Sequence, residues 1–148
     1  MDLNDFDRPL NERGQKDAPV MAERLYKKKI EIDALISSPA VRAKNTAILF
    51  SKVLDIKEKK ITYVDELYHA GISNFDSVIA SMDDDFKRIV LFSHNPGITE
   101  FANTLVNDVH VDNMPTCSIF AVEADVKKWK DFKNSKKTFL FFDYPKKF

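Results

Sequence analysis

The sequence predicts an α/β fold in three layers, with a mostly parallel sheet covered by helices on both faces. Short apolar runs typical of buried strands alternate with segments of helical periodicity, which favours parallel strands joined by helices. The clearest run, Ile89 to Phe92, has no polar alternation and ends in the turn-forming residues Ser93 to Gly97. The chain nevertheless opens with a loop and a helix that no strand precedes, although a crossover helix normally joins two parallel strands. We therefore expect the first strand of the sheet to be missing.

Length and charge bound the class of protein. The 148 residues suit one domain, 1–148, which the missing strand would leave incomplete at its N-terminus. Lys plus Arg and Asp plus Glu both number 23, so no net charge favours nucleic acid or an anionic membrane as partner. Only three glycines occur, and no glycine-rich phosphate loop is present. We expect neither a metal nor a cofactor.

The signals for cellular compartment favour the cytoplasm. A single cysteine, Cys117, excludes an internal disulfide and argues against a secreted, disulfide-built scaffold. No apolar run approaches the roughly 20 residues that a membrane span needs. The acidic N-terminus also lacks the basic-then-apolar pattern of a signal peptide. We therefore expect a cytoplasmic protein without a membrane partner.

The first elements follow from local patterns. Residues Met1 to Leu10 are predicted to form a loop, and Asn11 is a suitable cap for the helix that follows. Pro19 is expected to kink that helix or to displace its start. The buried face of the helix is predicted by residues at helical spacing, namely Ala18, Met21, Ala22 and Leu25.

Two strands and a helix are predicted next. Ala34 to Pro39 is typical of a short strand that ends in a Ser-Ser-Pro turn. A helical stripe continues through Ala43, Ala47, Phe50 and Leu54. The alternating residues Ile61 to Leu67 predict a second strand, closed by Tyr68 to Gly71. A further amphipathic helix is indicated by Phe75, Val78, Ile79 and Met82.

The last elements surround the apolar run at Ile89. That run is predicted to be a buried strand, and the helix after it carries Ile98, Phe101, Leu105 and Val106. Cys117 to Val122 and Thr138 to Phe142 are predicted to be two more strands. No helical segment of comparable strength separates this pair, so we expect it to be antiparallel.

Polar residues follow three of the predicted strands. They are Ser37 to Pro39 with Arg42, Asp65 and Glu66 with His69, and Ser93 with His94. The carboxyl ends of parallel strands meet at one edge of a sheet, where ligands usually bind. An arginine near a helix N-terminus beside a histidine suits a phosphate group, through charge-assisted bonds and an exchangeable proton. The pattern also fits a surface Arg42 and a His94 that only hydrogen-bonds a turn.

Three stretches in register resemble the histidine phosphatase superfamily, and more closely its small branch of SixA-like phosphohistidine phosphatases. They are Asp7 to Gly14 (DRPLNERG), Ser37 to Ala47 (SSPAVRAKNTA) and Ser93 to Gly97 (SHNPG). The resemblance runs from residue 3 to about residue 122 in the family's motif order. It implies an α/β sheet with a phosphate site at the strand ends.

The resemblance also implies an activity and roles for particular residues. Family enzymes transfer phosphate to the histidine of an Arg-His-Gly motif, and water then releases it. Arg42 matches an arginine that holds phosphate oxygens, and His94 matches the second histidine of the pocket. Arg8 is implied as a further substrate contact, and Ser93 and Asn95 as the substrate-binding neighbours of His94. The implied partner is a phosphorylated protein or a small phosphorylated molecule.

The sequence departs from the family at the nucleophile, because it contains no Arg-His-Gly or Arg-His-Ala. In the family that motif ends the first strand, which is central to the sheet. The strand missing from the topology and the missing nucleophile are therefore the same segment. The 148 residues are expected to be inactive, either as a shortened enzyme, which we favour, or as a non-catalytic phosphate- or phosphoprotein-binding module. The exposed gap in the sheet also favours strand exchange or a homodimer.

Other polar and aromatic residues are weaker candidates. His69 follows a different strand and His110 lies in a polar loop, so both are expected to be structural or solvent-facing. Glu66 is a candidate for the acid that protonates a leaving group, although SixA-like proteins often lack a clear equivalent. Cys117 is expected in a strand core, and Trp129 among lysines gives only thin support for nucleic-acid binding.

Overall fold

The computed structural model describes residues 4–146, in which helices and strands alternate. In chain order the elements are α1 (Glu12–Lys27), β1 (Ala34–Ser37), α2 (Val41–Val53), β2 (Thr62–Tyr63), α3 (Ile72–Ala80), β3 (Ile89–Phe92), α4 (Gly97–Leu105), β4 (Ile119–Ala124) and β5 (Lys137–Asp143). As predicted, Asn11 caps α1, its side chain accepting a hydrogen bond from the Gly14 N–H at 2.8 Å. Pro19 lies inside α1 and does not displace its start. The first three residues of the predicted N-terminal loop lie outside the described residues.

The main sheet is parallel, and β1 is its middle strand. The order is β2-β1-β3, with Ser37 opposite both Tyr63 and Phe92. The carboxyl ends of the three strands therefore meet at one edge, as the sequence pattern predicted. None of the helices within residues 4–146 is long and apolar enough to cross a membrane.

Helices cover both faces of this sheet, which confirms the three-layer α/β prediction. The apolar faces of α1 and α2 pack with Leu35 and Phe92 in one core. The apolar faces of α3 and α4 pack with Ala34 and Ile36 in the other. Alternate residues of β1 and β3 point into opposite cores, so both strands are apolar on both faces.

The remaining strands form a separate sheet. β4 and β5 pair antiparallel, as predicted, with a register shift between Ala121 and Val122. Within residues 4–146 no ladder joins this pair to the main sheet. Side chains of the pair nevertheless pack in the same two cores, Ile119 in the first and Val122 in the second. The parallel sheet and the β4–β5 pair therefore flank a break between β3 and β4.

The break explains a difference in burial between two equally apolar strands. All four residues of β1 are buried, whereas Ile89, Val90 and Leu91 of β3 are only half-buried. β1 has a strand on each side, and β3 is paired with β1 alone in the described part of the chain. The predicted full burial of the Ile89 run therefore holds only for Phe92.

The second predicted strand is shorter than the sequence pattern indicated. β2 contains only Thr62 and Tyr63, and a 3-10 turn occupies Asp65–Leu67. The neighbouring strand β1 ends at Ser37, whose carbonyl accepts the Val64 N–H at 2.9 Å. Beyond that bond β1 offers no further pairing partner, so the chain turns and buries Leu67 in the second core.

Candidate phosphate-binding site

Ser38 and His94 meet at the carboxyl edge of the parallel sheet. Ser38 directly follows β1, and its N–H donates to the Phe92 carbonyl at 2.9 Å. This bond aligns the ends of β1 and β3, so the Ser38 Oγ and the His94 Nε2 lie 2.7 Å apart. The Ser38 side chain is fully buried, and His94 is half-buried beside it. Ser38 therefore anchors the His94 imidazole ring on a buried hydroxyl.

Arg42, the second residue of α2, is held by a carboxylate from the turn at residues 5–7, called the N-terminal turn below. Its guanidinium donates to the Asp5 backbone carbonyl at 2.8 Å and to the Asp5 Oδ2 at 3.2 Å. A second nitrogen–oxygen contact, to the Asp5 Oδ1, is also 3.2 Å. Both carboxylate oxygens therefore contact the guanidinium, in the fork-like geometry that arginine also uses for phosphate.

Tyr68 shares this carboxylate with Arg42. Its hydroxyl donates to the Asp5 Oδ2 at 2.8 Å. That bond, followed by the bond and charge of Arg42, lowers the pKa of Asp5 below its ordinary value. The same bond to an anion raises the pKa of Tyr68. At neutral pH Asp5 is therefore an anion, and Tyr68 is a neutral donor.

Aromatic rings connect this cluster to His94. The Tyr68 ring lies edge-on to His94, with centroids 5.6 Å apart, and close to His69 at 4.0 Å. Phe6 packs edge-on against Tyr68 at 5.1 Å, and its carbonyl accepts the Val41 N–H at 2.9 Å. The N-terminal turn is thereby attached to the start of α2 and to the segment after β2.

A cleft of about 160 Å³ opens beside His94, several times the roughly 30 Å³ share of one water molecule. The lining residues come from the segment after β2 and from the start of α4, and they are His69, Ala70, His94, Asn95, Pro96, Gly97 and Glu100. Gly97 allows these two segments to approach closely, because a Cβ there would lie 2.1 Å from the Ala70 carbonyl oxygen.

The local electrostatics keep the His94 ring neutral. Burial lowers the pKa of His94 from 6.5 to about 4, and the positive charge of Arg42 contributes in the same direction. The negative charge of Asp5 opposes this shift. A phosphate dianion bound here would also oppose it, since a nearby negative charge favours the protonated ring.

The other residues predicted for the site have structural contacts or are exposed. Ser93 donates from its hydroxyl to the Leu67 carbonyl at 2.6 Å and joins β3 to the turn after β2. Asn95 donates to the Met114 carbonyl at 2.8 Å and accepts a bond from Thr99, although it also lines the cleft. Arg8 is exposed, and its charge contributes to the lowered pKa of Asp5.

The weaker sequence candidates lie in varied surroundings. His69 is exposed, as expected, yet it lines the cleft and has a left-handed backbone with φ of 55°. His110 is exposed and pairs with Asp112 at 3.4 Å. Burial raises the pKa of the Cys117 thiol to about 11. Trp129 donates from its ring N–H to the Phe86 carbonyl at 2.9 Å. Glu66 is exposed, and residues 4–146 contain no group of three acidic, His or Cys side chains suited to a metal.

Sequence reasoning did not single out Asp5 or Tyr68, although both contribute to the site. Asp5 lies three residues before Arg8 and two before the start of the Asp-Arg-Pro-Leu stretch at Asp7, and Tyr68 directly precedes His69. Their closeness in the chain to Arg8 and His69 was the signal in the sequence that could have indicated a role in the site. The bond between the two residues joins positions 63 apart in the chain, and no local pattern indicates it.

Comparison with known proteins gives a family match and a shared fold. The family model of the histidine phosphatase superfamily (branch 1) matches residues 4–86, more than half of the chain. That range includes the N-terminal turn, Arg42 and Tyr68. A search of curated proteins gave no match.

Several solved structures share the fold. A protein assigned as the phosphohistidine phosphatase SixA of Nakamurella multipartitia superposes with a TM-score of 0.85 at 19% identity, covering 99% of this chain and 90% of that one. One assigned as SixA from Agrobacterium tumefaciens gives 0.80 at 24% identity, covering 97% and 87%. The protein histidine phosphatase SixA complexed with tungstate gives 0.82 at 20% identity, covering 98% and 89%. Because the family model matches more than half of the chain, the chain belongs to branch 1 of the histidine phosphatase superfamily.

Proposed function

We propose that this chain provides the phosphate-binding half of a SixA-type phosphohistidine phosphatase. Its substrate is phosphohistidine on a protein, or a small phosphorylated molecule. The observation that carries this proposal is the placement of Arg42 and His94 at one edge of the parallel sheet, joined through Asp5 and Tyr68. Membership of the superfamily and the fold shared with SixA structures support it.

Each side chain has a distinct part in the proposed reaction. Arg42 binds two phosphoryl oxygens through its planar guanidinium, and the N-terminus of α2 adds a favourable dipole. His94 donates a hydrogen bond to a phosphoryl oxygen and stabilises the charge that develops during transfer. The phosphoryl group passes to a nucleophilic histidine with release of the substrate imidazole, and water then hydrolyses that second phosphohistidine.

We place the nucleophilic histidine on a strand that inserts between β3 and β4. Both cores continue from the main sheet to the β4–β5 pair, and the apolar strand β3 is half-buried at its unpaired edge. The buried Ser118 hydroxyl, directly before β4, has no hydrogen-bond partner within residues 4–146. An inserted strand would cover that edge and offer such a partner. On this proposal the 148-residue chain by itself binds phosphate without turning it over.

The first experiment measures anion binding by the 148-residue chain. Titration with inorganic phosphate or tungstate, followed by NMR, should move the signals of the His94 ring and the Arg42 side chain. Arg42→Ala should weaken binding about tenfold or more, since bonds to charged groups contribute about 1.5–3 kcal/mol each. Arg13→Ala is the matched control, because Arg13 is an exposed arginine on α1 that pairs with Asp17. Equal binding by both variants would contradict the proposed site.

The second experiment tests the position of the nucleophile. A labelled phosphodonor should leave no phosphohistidine on the 148-residue chain. A chain extended at its N-terminus by an apolar strand ending in Arg-His-Gly should be labelled, and the same extension with Arg-Ala-Gly should not. Labelling of the unextended chain that His94→Asn or His69→Asn abolishes would refute the inserted-strand proposal. Phosphate binding with no labelling of any version would favour a non-catalytic binding module.

A further inference from the structure

The Ser38 hydroxyl has two hydrogen-bond partners within residues 4–146. It accepts the Ala40 N–H at 3.2 Å and lies 2.7 Å from the His94 Nε2. Within the part of the chain that the structure describes, this oxygen makes no other hydrogen bond. The whole Ser38 residue is inaccessible to solvent, so bulk water does not provide another partner.

This set of partners determines the direction of the bond to His94. A serine hydroxyl has one proton to donate and two lone pairs, and Ala40 occupies one lone pair. The proton needs an acceptor in a buried site, and the His94 Nε2 is the acceptor within reach. If Nε2 carried a proton instead, the serine proton would be left without an acceptor, which is unfavourable for a buried hydroxyl. Ser38 therefore donates, and Nε2 accepts.

The ring proton of neutral His94 must then reside on the other nitrogen. We infer that Ser38 is a positioning residue that holds His94 in the tautomer with its proton on Nδ1. No group within residues 4–146 hydrogen-bonds Nδ1, and the His94 side chain lines the cleft. Nδ1 therefore presents an unpaired N–H donor, and Nε2 is not available to take a proton from substrate or water.

The use of this donor rests on the proposed function. Phosphoryl oxygens are acceptors, so a fixed N–H donor suits them better than a ring that exchanges between two tautomers. Ser38 thus acts on phosphate through His94 and does not touch it. Two successive hydrogen bonds connect the start of α2 to the end of β3. The Ala40 N–H donates to the Ser38 Oγ, and the Ser38 O–H donates to the His94 Nε2.

The tautomer can be read directly by NMR. Long-range proton–nitrogen spectra of the wild-type chain at neutral pH distinguish a protonated from an unprotonated ring nitrogen. We expect the His94 proton on Nδ1. Ser38→Ala should remove this preference and give a mixture or the Nε2–H form, and it should weaken inorganic phosphate binding several-fold. Ser37→Ala is the matched control, because Ser37 is equally buried and its hydroxyl bonds the Ser38 carbonyl rather than His94.

The outcomes separate this inference from the proposed function. A wild-type chain with the His94 proton on Nε2 overturns the inference, whatever the variants do. An unchanged tautomer in Ser38→Ala, or an equal change in Ser37→Ala, overturns the role of Ser38. Failure of phosphate to bind would contradict the proposed function, and the tautomer result would still stand on the wild-type spectrum.

Discussion

Asp5 lies where an anionic substrate would be expected, on the guanidinium of Arg42. An arginine already paired with a carboxylate presents less net positive charge to a phosphate dianion. The Arg42 Nε has no hydrogen-bond partner within residues 4–146, so that edge remains open for phosphoryl oxygens. Asp5 therefore competes electrostatically with phosphate and need not occupy every donor.

Replacing Asp5 tests this competition. Asp5→Asn should tighten phosphate binding a few-fold, because ion pairs this exposed contribute little to stability and their loss frees the charge of Arg42. Asp7→Asn is the control, since it removes one negative charge from the same turn without a bond to Arg42. Calorimetric titration with phosphate measures both. Weaker binding by Asp5→Asn would show instead that Asp5 holds Arg42 in place.

His94 should also make stability depend on pH. In the folded chain its pKa is lowered from 6.5 to about 4. Between these values the unfolded chain binds a proton that the folded chain does not, so stability falls as pH decreases from about 6.5 to about 4. Urea unfolding at several pH values should show this fall, and His94→Asn should flatten it. A wild-type profile as flat as the variant's would contradict the lowered pKa.

At the scale of elements, the start of α4 depends on its close approach to the segment after β2. A Cβ at Gly97 would lie 2.1 Å from the backbone oxygen of Ala70, which cannot move without shifting the cleft. Gly71 is the neighbour of Ala70 in the chain. A Cβ at Gly71 would nevertheless meet nothing closer than the Asn74 Oδ1 at 3.7 Å. A side chain at Gly97 would therefore clash with the backbone of Ala70, whereas a side chain at Gly71 would fit.

This difference gives a matched pair of variants. Gly97→Ala should lower the free energy of unfolding by about 1–3 kcal/mol and shift the His94 ring signals, because the added methyl overpacks a tight contact. Gly71→Ala should cost about 1 kcal/mol or less, because the added methyl meets no clash and alanine is only a less favourable N-cap for α3 than glycine. Chemical unfolding and NMR measure these effects. Equal stability of the two variants would show that α4 can move away from Ala70 at no cost.

At the scale of the whole molecule, the break between β3 and β4 leaves strand edges unpaired within residues 4–146. Unpaired apolar edges are templates for pairing with another chain. We predict that amides of β3 exchange with solvent faster than those of β1 at low concentration and become protected as concentration rises. Hydrogen exchange with sedimentation analysis measures this. Exchange that does not change with concentration would argue against strand exchange or a homodimer.

Much of the fold and part of the site could be predicted from local patterns. Helical and strand periodicity indicated the order of elements, since burial on one face imposes spacing along the chain. Parallel strands indicated that Arg42 and His94 would lie at one edge. The length of β2 could not be predicted, because it depends on where the neighbouring strand β1 ends.

What the sequence by itself determined is the α/β class and the order of the elements. Only the tertiary structure decided that Asp5 lies on Arg42, that Tyr68 shares this carboxylate, and that a buried Ser38 hydroxyl meets His94. Periodicity indicates which face of an element is buried, and it depends only on residues that are close together in the chain. These contacts join residues far apart in the chain, and their partners are selected by the geometry at the strand ends.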